Sequence, residues 1–501
     1  MSPSKPAPRN INLHPPNHTP KSLTETTFDV IVLGSGPVGR TLAAQTSASG
    51  LSSIIIEAEL YGGDCPFWAC VPSKALLRPA ETLSASRQIS GAKELVASVP
   101  PATVDVQGVF ARRDAFTHGW DDQVILDISL SQGCTVVRGW GELLDERKVT
   151  VKNVNGEEAV LTANHAVVLA TGSDPILPDI PGLKDVPFWT PREATSADQV
   201  PQHLIIIGAG PVGTEMASVY AGYGGRVTLL SASADILPGQ EPQASRLVRE
   251  ALEDAKVDVR VSAGVIKVQK NTDDSVTVVC SDGSTVTGST LLVATGRTPR
   301  TKGIGLERLK ISPNLEVNGN LVVTGVEGNW LYAIGDINGL SPTTHMGAYQ
   351  ARITANAIVA RAKSSAAKVL DASPWSAFSN TADEKAVSHV IFTDPNIAQV
   401  GLTMAEAKRR GIKVKAVEAE FQFPGAWLHA ESNYYKGWAN WVVDVEKNTL
   451  VGATFVGREA ADLVHASTVA IVGELPIDRL RHAVPPFPTV SEIYTALFAA
   501  L

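Results

Sequence analysis

An apolar run followed by regularly spaced glycines occurs twice in this 501-residue chain, and no other feature constrains its fold as strongly. The first run spans residues 28–34 and the second spans residues 203–208. Each predicts a buried strand, a tight turn and the start of a helix. The glycines of the two copies are Gly34, Gly36, Gly39, Gly208, Gly210 and Gly213. We therefore predict two nucleotide-binding units of the same build.

The residue that ends the second strand distinguishes the two copies. A β-rich run ends at the same spacing from the first glycine in each copy, at Glu57 and at Ser231. In such units the glycines let a pyrophosphate approach the helix N-terminus, and an acidic residue accepts hydrogen bonds from the ribose hydroxyls. Glu57 therefore favours FAD or NAD. Ser231 has no charge to repel a 2′-phosphate, which favours NADPH over NADH, although no arginine directly follows it.

Two cysteines, Cys65 and Cys70, lie at a predicted helix start in the stretch GGDCPFWACVPSK, residues 62–74. They are about one and a half helical turns apart, and a local distortion would bring them to disulfide distance. A helix N-terminus lowers a thiol pKa and favours a reactive thiolate. The spacing is equally compatible with two ordinary buried residues. No second pair of ligands is nearby, so no metal site is predicted, and Cys134 and Cys280 are expected to be structural.

Composition excludes several function classes. Hydrophobic residues make up 44% of the chain, as in a globular protein with several domains. A net charge of −8 argues against nucleic-acid or anionic-membrane partners. No apolar run reaches the roughly 18 residues that a membrane span requires. Residues 1–27 have the composition of a mobile tail without a signal-peptide core, so we expect a cytoplasmic protein.

The cysteine stretch resembles the GGTCLNVGCIPSK box of the FAD-dependent class I pyridine nucleotide–disulfide oxidoreductases. That family includes dihydrolipoamide dehydrogenase, glutathione reductase and mercuric reductase. Four further stretches match the family's motifs, namely residues 170–172 (ATG), 294–297 (ATGR), 333–336 (AIGD) and 390–395 (VIFTDP). The resemblance implies an α/β fold with two Rossmann-like nucleotide-binding domains and an α+β C-terminal dimerisation domain.

The domain bounds implied by the resemblance are residues 28–174 with 298–375 for FAD, 175–297 for NAD(P)H and 381–501 for dimerisation. A homodimer is expected, because the family's C-terminal domain contributes residues to the active site of the partner subunit. The other expected partner is a small-molecule acceptor or dithiol substrate.

The resemblance also implies roles for individual residues. Cys65 would be the exchange thiol that meets the substrate, and Cys70 the thiolate that contacts the flavin. Lys74 and Glu215 would form an ion pair beside the flavin, although a lone Lys or Glu is usually solvent-exposed. The remaining expected cofactor contacts come from Gly172, Arg297 and Asp336, the last on the ribityl chain.

One motif departs from the family. The family's disulfide reductases end with His-Pro-Thr-x-Ser-Glu, in which the His is the general acid/base. Here Phe487 replaces that His, while Glu492 is kept. A phenyl ring cannot exchange a proton, and a positioned acid–base group contributes about 10²–10⁴ in rate. His482 is a candidate substitute or an ordinary loop residue, and His429 is less favoured.

The residues between the two cysteines also differ from the family, because Phe67 and Trp68 stand there. Two rings in this place are either core residues or the lining of a surface for a hydrophobic or planar acceptor. Mercury reduction is disfavoured, since no cysteine follows Cys280.

These observations predict an FAD-dependent NAD(P)H oxidoreductase that passes electrons through the flavin and a Cys65–Cys70 disulfide. The acceptor would be a disulfide, a quinone or another small molecule. One alternative is a dithiol oxidase that sends electrons through the same cysteines and FAD to oxygen. Two further alternatives are a dihydrolipoamide dehydrogenase in which His482 supplies the base, and a redox-inert flavoprotein that serves as a binding partner.

Overall fold

This computed structural model describes residues 11–98, 103–364, 370–430 and 435–501. The first part of the chain contains β1 (Thr27–Leu33), α1 (Pro37–Ala48), β2 (Ser53–Glu57), α2 (Asp64–Phe67), α3 (Cys70–Ser86), α4 (Ala92–Ala97), α5 (Val106–Phe116), α6 (Gln123–Ser131), β3 (Thr135–Arg138), β4 (Trp140–Asp145), β5 (Lys148–Lys152), β6 (Glu158–Leu169) and β7 (Ser173–Pro175). The middle contains α7 (Pro191–Ser196), β8 (His203–Ile207), α8 (Pro211–Gly222), β9 (Arg226–Leu230), α9 (Pro242–Asp254), β10 (Asp258–Arg260), β11 (Val265–Lys270), β12 (Val276–Cys280), β13 (Thr285–Gly288), β14 (Thr290–Val293) and β15 (Arg297–Pro299). The last part contains β16 (Leu331–Ala333), α10 (Thr344–Ala362), α11 (Ala382–Lys385), β17 (Ser388–Ile391), β18 (Asn396–Gly401), α12 (Met404–Arg409), β19 (Val414–Glu420), α13 (Pro424–Trp427), β20 (Trp438–Asp444), β21 (Thr449–Gly457), α14 (Ala460–Val472), α15 (Ile477–Leu480) and α16 (Ile493–Ala500).

The first sheet is built around β1, which pairs in parallel with β2 on one side and with β6 on the other. Strand β3 extends the sheet beyond β2, and β16 pairs with the end of β6. Residues 30–33 of β1 are buried, as expected for a parallel strand that is covered on both faces. The carboxyl ends of β1 and β2 therefore meet at one edge, beside the start of α1.

The second sheet repeats this arrangement with four parallel strands in the order β10-β9-β8-β14. The unit β1–α1–β2 corresponds to β8–α8–β9. Gly34 and Gly208 both have φ of +105°, a backbone conformation that glycine adopts without steric cost. The predicted duplication of strand, glycine turn and helix is confirmed, and so is the α/β fold class.

Two segments of the chain connect the two parallel sheets, and they lie side by side where β7 pairs with β15. Strands β7 and β15 pair antiparallel, with Asp174 opposite Thr298. The residues between them carry the second parallel sheet and the antiparallel sheet β11-β12-β13. The exact domain bounds remain a prediction.

The C-terminal part is a five-stranded antiparallel sheet in the order β17-β18-β21-β20-β19, with α14 and α16 packed on it. Its core contains the fully buried side chains of Trp441 and Phe455. In the described part of the chain, no helix is both long enough and apolar enough to cross a membrane.

Residues 11–27 differ from the mobile tail predicted for 1–27. The Oδ1 atom of Asn17 accepts a hydrogen bond from Arg138 Nε at 2.7 Å, and the carbonyl of His18 accepts one from the Arg138 backbone N–H at 2.7 Å. Ile11 and Leu13 pack against the hydrophobic core of the first sheet. These apolar contacts and hydrogen bonds hold the segment in place, a result that its polar composition did not indicate. Residues 1–10 lie outside the described residues.

Replacing Phe455 with alanine should destabilise the protein by about 3–5 kcal/mol, because it leaves a cavity in the C-terminal core. Phe116→Ala is the matched control, since that ring is 52% exposed and its loss should cost no more than about 1 kcal/mol. Urea unfolding followed by circular dichroism measures both. Equal midpoints for the two variants would contradict the predicted packing.

Candidate functional site

The two cysteines lie on either side of a break between helices α2 and α3. Trp68 and Ala69 interrupt the helical path, with ψ of −3° and −99°. Their backbone N–H groups both donate to the carbonyl oxygen of Asp64 at 2.7 Å. Cys65 therefore lies in the short helix and Cys70 is the first residue of the long one. The local distortion that the sequence required is present, and the two thiols hydrogen-bond each other.

The surroundings of the two thiols move their pKa values in opposite directions. The hydrogen bond from Cys65 lowers the pKa of Cys70 to about 6, and Thr344 and the Lys74 charge act in the same direction. Thr344 Oγ1 lies 3.3 Å from Cys70 Sγ. The pKa of Cys65 is raised by the same hydrogen bond and by burial. Cys70 is thus the thiolate at neutral pH, and Cys65 keeps its proton.

Lys74 and Glu215 form an ion pair one helical turn after Cys70. Lys74 Nζ lies 2.8 Å from Glu215 Oε2 and 3.1 Å from Oε1. Glu215 is 7% exposed and also accepts a hydrogen bond from the Phe392 backbone N–H at 3.0 Å. The Lys74 ammonium lies 4.6 Å from the centre of the Phe392 ring. The pair therefore joins α3 of the first unit, α8 of the second and the start of the C-terminal sheet.

Asp64, at the head of α2, binds two arginines that come from the middle of the chain. Arg192 and Arg297 each reach an oxygen of its carboxylate at 2.7 Å. Burial acts to raise the pKa of Asp64, but the two guanidinium groups lower it below its usual value. Arg192 also binds Glu59 at 2.7 Å and stacks over the Trp68 ring at 4.3 Å. The segment that carries the two cysteines is therefore bound to α7 through Arg192 and to β15 through Arg297.

The same network extends to Asp336. Arg297 Nε donates to the hydroxyl of Ser173 at 2.7 Å, and that hydroxyl donates to Asp336 Oδ2 at 2.6 Å. Two residues expected to contact the cofactor, Arg297 and Asp336, are therefore connected through Ser173 on β7.

The glycine turns of both units leave room for a pyrophosphate. A Cβ added to Gly34 would lie 2.3 Å from the carbonyl oxygen of Ala170, and one added to Gly208 would lie 2.3 Å from that of Ala294. A Cβ on the third glycine, Gly39 or Gly213, would meet the carbonyl of the first glycine at 2.1 Å and 1.9 Å. The middle glycines Gly36 and Gly210 face open space, as does Gly172. Each unit therefore has a tight turn and one open backbone position, which fits a dinucleotide.

The strand-end residues have different surroundings in the two units. Glu57 Oε2 accepts hydrogen bonds from the backbone N–H and hydroxyl of Ser35 at 2.9 and 2.6 Å, which fixes the carboxylate at the turn. Ser231 is buried, and its hydroxyl donates to the carbonyl of Asp235 at 3.0 Å. The first site thus offers a fixed carboxylate for ribose hydroxyls, and the second offers no charge from this position.

Phe487 and Glu492 lie at the C-terminal end of the chain. The Phe487 side chain is 73% exposed. Glu492 Oε1 accepts hydrogen bonds from the backbone N–H groups of Gly425 at 3.0 Å and Thr489 at 3.2 Å. The carboxylate thus holds the turn in shape. His482 is exposed.

The structure distinguishes between the two possibilities for the rings that stand between the cysteines. Phe67 and Trp68 are 0% and 4% exposed and belong to the core under the first sheet. The Trp120 indole donates to the Phe67 carbonyl at 3.1 Å. Both rings therefore belong to the core, and they do not form a surface for a hydrophobic or planar acceptor.

Sequence reasoning missed Thr344, Arg192 and the role of Asp64. Asp64 stands inside the cysteine stretch, where an acid at a helix start was a detectable signal. Thr344 and Arg192 carry no local signal, because only the tertiary fold brings them to the cysteines.

In the reduced protein, Cys65→Ala should raise the pKa of Cys70 from about 6 toward the ordinary thiol value of about 8.5, because the lowering hydrogen bond is lost. The thiolate would then appear only at higher pH in an ultraviolet absorbance titration. Burial raises the pKa values of Cys134 and Cys280, so neither titrates in this window. Cys134→Ala is the control. An unchanged midpoint in Cys65→Ala would refute the assigned cause.

Comparison with known proteins places this site in a family. The pyridine nucleotide-disulphide oxidoreductase family matches residues 28–357, and its dimerisation domain matches residues 387–497. Dihydrolipoyl dehydrogenase of Rhizobium etli is 31% identical over 485 residues, covering 93% of this chain and 96% of the relative. Mercuric reductase of Staphylococcus aureus is 27% identical over 473 residues, covering 93% of this chain and 81% of the relative.

A solved structure has the same overall fold. The Cu(II) complex of RclA, an HOCl-induced flavoprotein disulfide reductase from Escherichia coli, aligns with a TM-score of 0.78 at 21% identity. The alignment covers 95% of this chain and all of that chain. With the duplicated glycine turns and the paired cysteines, these matches show that the chain belongs to the pyridine nucleotide-disulphide oxidoreductases, flavoenzymes that use FAD and NAD(P)H.

Proposed function

We propose that this enzyme reduces a small disulfide with electrons from a nicotinamide cofactor, using Cys65 and Cys70 as its redox pair. The placement of the two cysteines on either side of the break between α2 and α3, with Thr344 Oγ1 3.3 Å from Cys70 Sγ, carries this proposal, and the opposite pKa directions of the two thiols agree with it. A thiolate at Cys70 suits contact with the electron-poor flavin, and the protonated Cys65 suits exchange with a substrate. We further propose that two chains form the working homodimer, supported by the dimerisation-domain match.

The turn at Gly34 and Gly36, together with Glu57 and Asp336, would hold FAD, which would supply two-electron transfer between a nicotinamide and the disulfide. The protein's own residues prepare the dithiol. Lys74, oriented by Glu215, stabilises the negative charge of Cys70 at the start of α3. The Asp64 carboxylate, bound by Arg192 and Arg297, holds the loop that places Cys65 beside Cys70.

The second nucleotide site favours NADPH in this proposal. Ser231 contributes no negative charge, and Arg260 lies at the carboxyl end of the neighbouring strand β10, where Leu230 is its register partner. Its guanidinium is 30% exposed and is held by Asp258 at 2.8 Å. A cation in this place fits a 2′-phosphate.

Arg260→Gln should weaken binding of 2′-phospho-ADP by about 10-fold or more and leave ADP binding unchanged, because one charged hydrogen bond is lost. Isothermal titration calorimetry of both nucleotides measures this. Arg226→Gln, at the opposite end of β9, is the control. Equal affinity of the wild type for the two nucleotides would overturn the NADPH assignment.

Cys65→Ser and Cys70→Ser should each abolish disulfide reduction, by about 10⁴-fold or more, while the flavin remains reducible by NADPH. Steady-state turnover and anaerobic flavin bleaching measure the two steps, with Cys134→Ser as the control.

Full turnover in both cysteine variants would refute the dithiol mechanism. Peroxide formed from a dithiol without any nicotinamide would instead assign the reverse electron flow of a dithiol oxidase.

A further inference from the structure

The position of Glu57 fixes where the adenosine end of FAD would lie. A dinucleotide whose pyrophosphate lies at the first glycine turn places its ribose at the acid that ends the second strand. Strands β1, β2 and β3 follow one another across the sheet, and Glu57 at the end of β2 is the register partner of Arg138 at the end of β3. Because the pyrophosphate would lie at β1 and the ribose at β2, the adenine would extend toward β3.

The N-terminal segment, residues 11–18, lies against the ends of these same two strands. His14 Nδ1 lies 3.0 Å from the carbonyl oxygen of Ala58, which directly follows β2. The His18 carbonyl oxygen accepts a hydrogen bond from the backbone N–H of Arg138, the last residue of β3, at 2.7 Å. The segment therefore borders the part of the sheet edge toward which the adenine would extend.

A buried ion pair anchors the N-terminal segment. Arg138 binds both carboxylate oxygens of Asp122, at 2.8 and 2.9 Å, and the two side chains are 6% and 4% exposed. The Nε atom of this arginine donates to Asn17 Oδ1 at 2.7 Å. Ile11 and Leu13 pack against the hydrophobic core of the first sheet. A charged hydrogen bond and two apolar side chains thus hold the segment at the strand ends.

His14 presents a side chain suited to a nucleoside. It is exposed, and its contact with a carbonyl oxygen, which can only accept, places the proton of the neutral ring on Nδ1. Nε2 is then an acceptor, and the amino group of adenine and the ribose hydroxyls are donors. The flat face of an imidazole also stacks on bases.

We propose that the N-terminal segment forms one side of the FAD site at its adenosine end, with His14 against the adenosine, and that it slows the release of FAD. This rests on the proposed placement of FAD at the first glycine turn and Glu57, and it does not depend on the acceptor that the enzyme reduces. The family match begins at residue 28, so this side of the site comes from residues that precede the matched part.

The test is exchange of the bound FAD of the holoenzyme for ¹³C-labelled FAD, followed by mass spectrometry of the retained cofactor. Deleting residues 1–18 should accelerate exchange by about 10-fold or more, because one side of the site is lost. His14→Ala should accelerate it by about 3–10-fold, as expected for one hydrogen bond. Deleting residues 1–10 is the matched control, which keeps the segment and should leave the rate unchanged.

Binding of 2′-phospho-ADP at the second nucleotide unit distinguishes a local effect from general loosening, and it should be the same in these variants as in the wild type. Unchanged FAD exchange in both His14→Ala and the 1–18 deletion would overturn the proposal, as would equal losses at the two nucleotide sites. If the 1–18 deletion does not fold, Asn17→Ala takes its place. That variant removes only the side-chain contact with Arg138 and should also accelerate exchange.

Glu57→Ala separates this proposal from the placement of FAD on which it rests. FAD exchange that Glu57→Ala leaves unchanged would refute both. Faster exchange in Glu57→Ala, with no change in His14→Ala or the 1–18 deletion, would refute the role of the N-terminal segment alone. Accelerated exchange in variants of an enzyme that reduces no disulfide would support the segment's role and refute only the disulfide-reductase function.

Discussion

The geometry around the two cysteines depends on the contacts that Asp64 makes. Its two carboxylate oxygens bind guanidinium groups from α7 and β15, while its carbonyl holds the two N–H groups of the break before α3. One residue thus connects the segment that carries the two cysteines to α7, before the second parallel sheet, and to β15, after it. Removing one partner of such a half-buried cluster leaves uncompensated charge, which costs several kcal/mol. The helix break, and with it the juxtaposition of the cysteines, therefore depends on contacts far away in sequence.

The chemistry follows from an asymmetry between two identical side chains. Cys70 lies at a helix start beside Thr344 and Lys74, where negative charge is stabilised. Cys65 lies five residues earlier, donates a hydrogen bond to that charge and loses acidity in consequence. The different roles that we propose for the two thiols follow from their surroundings alone. In the proposed function, a Cys65 thiol that keeps its proton requires a base, so the replacement of the family's histidine by Phe487 bears directly on the mechanism.

Local patterns predicted much of the fold, and tertiary contacts decided most of what they missed. The glycine turns and the strands that flank them were predictable because they follow from spacing along the chain, and the family was indicated by the resemblance of the cysteine stretch to a known motif. The sequence left open whether Phe67 and Trp68 pack inward, because the helix break at residues 68–69 has no signal in the local pattern. Arg192 and Thr344 were missed because nothing near them in sequence marks their contact with the cysteines. The docking of residues 11–27 depends on Arg138, more than a hundred residues away, which no periodicity reveals.

The pairing of β7 with β15 bears on how such a chain can evolve by domain insertion and on whether its middle segment can be removed. The two ends of the middle segment lie at neighbouring-strand distance, about 4.8 Å. A segment whose two ends lie side by side can be inserted into a loop of another domain without displacing the strands of that domain's sheet. The duplicated glycine turn is then one nucleotide-binding module nested inside another. Joining residue 174 to residue 298 by a short turn would close the outer module over the gap.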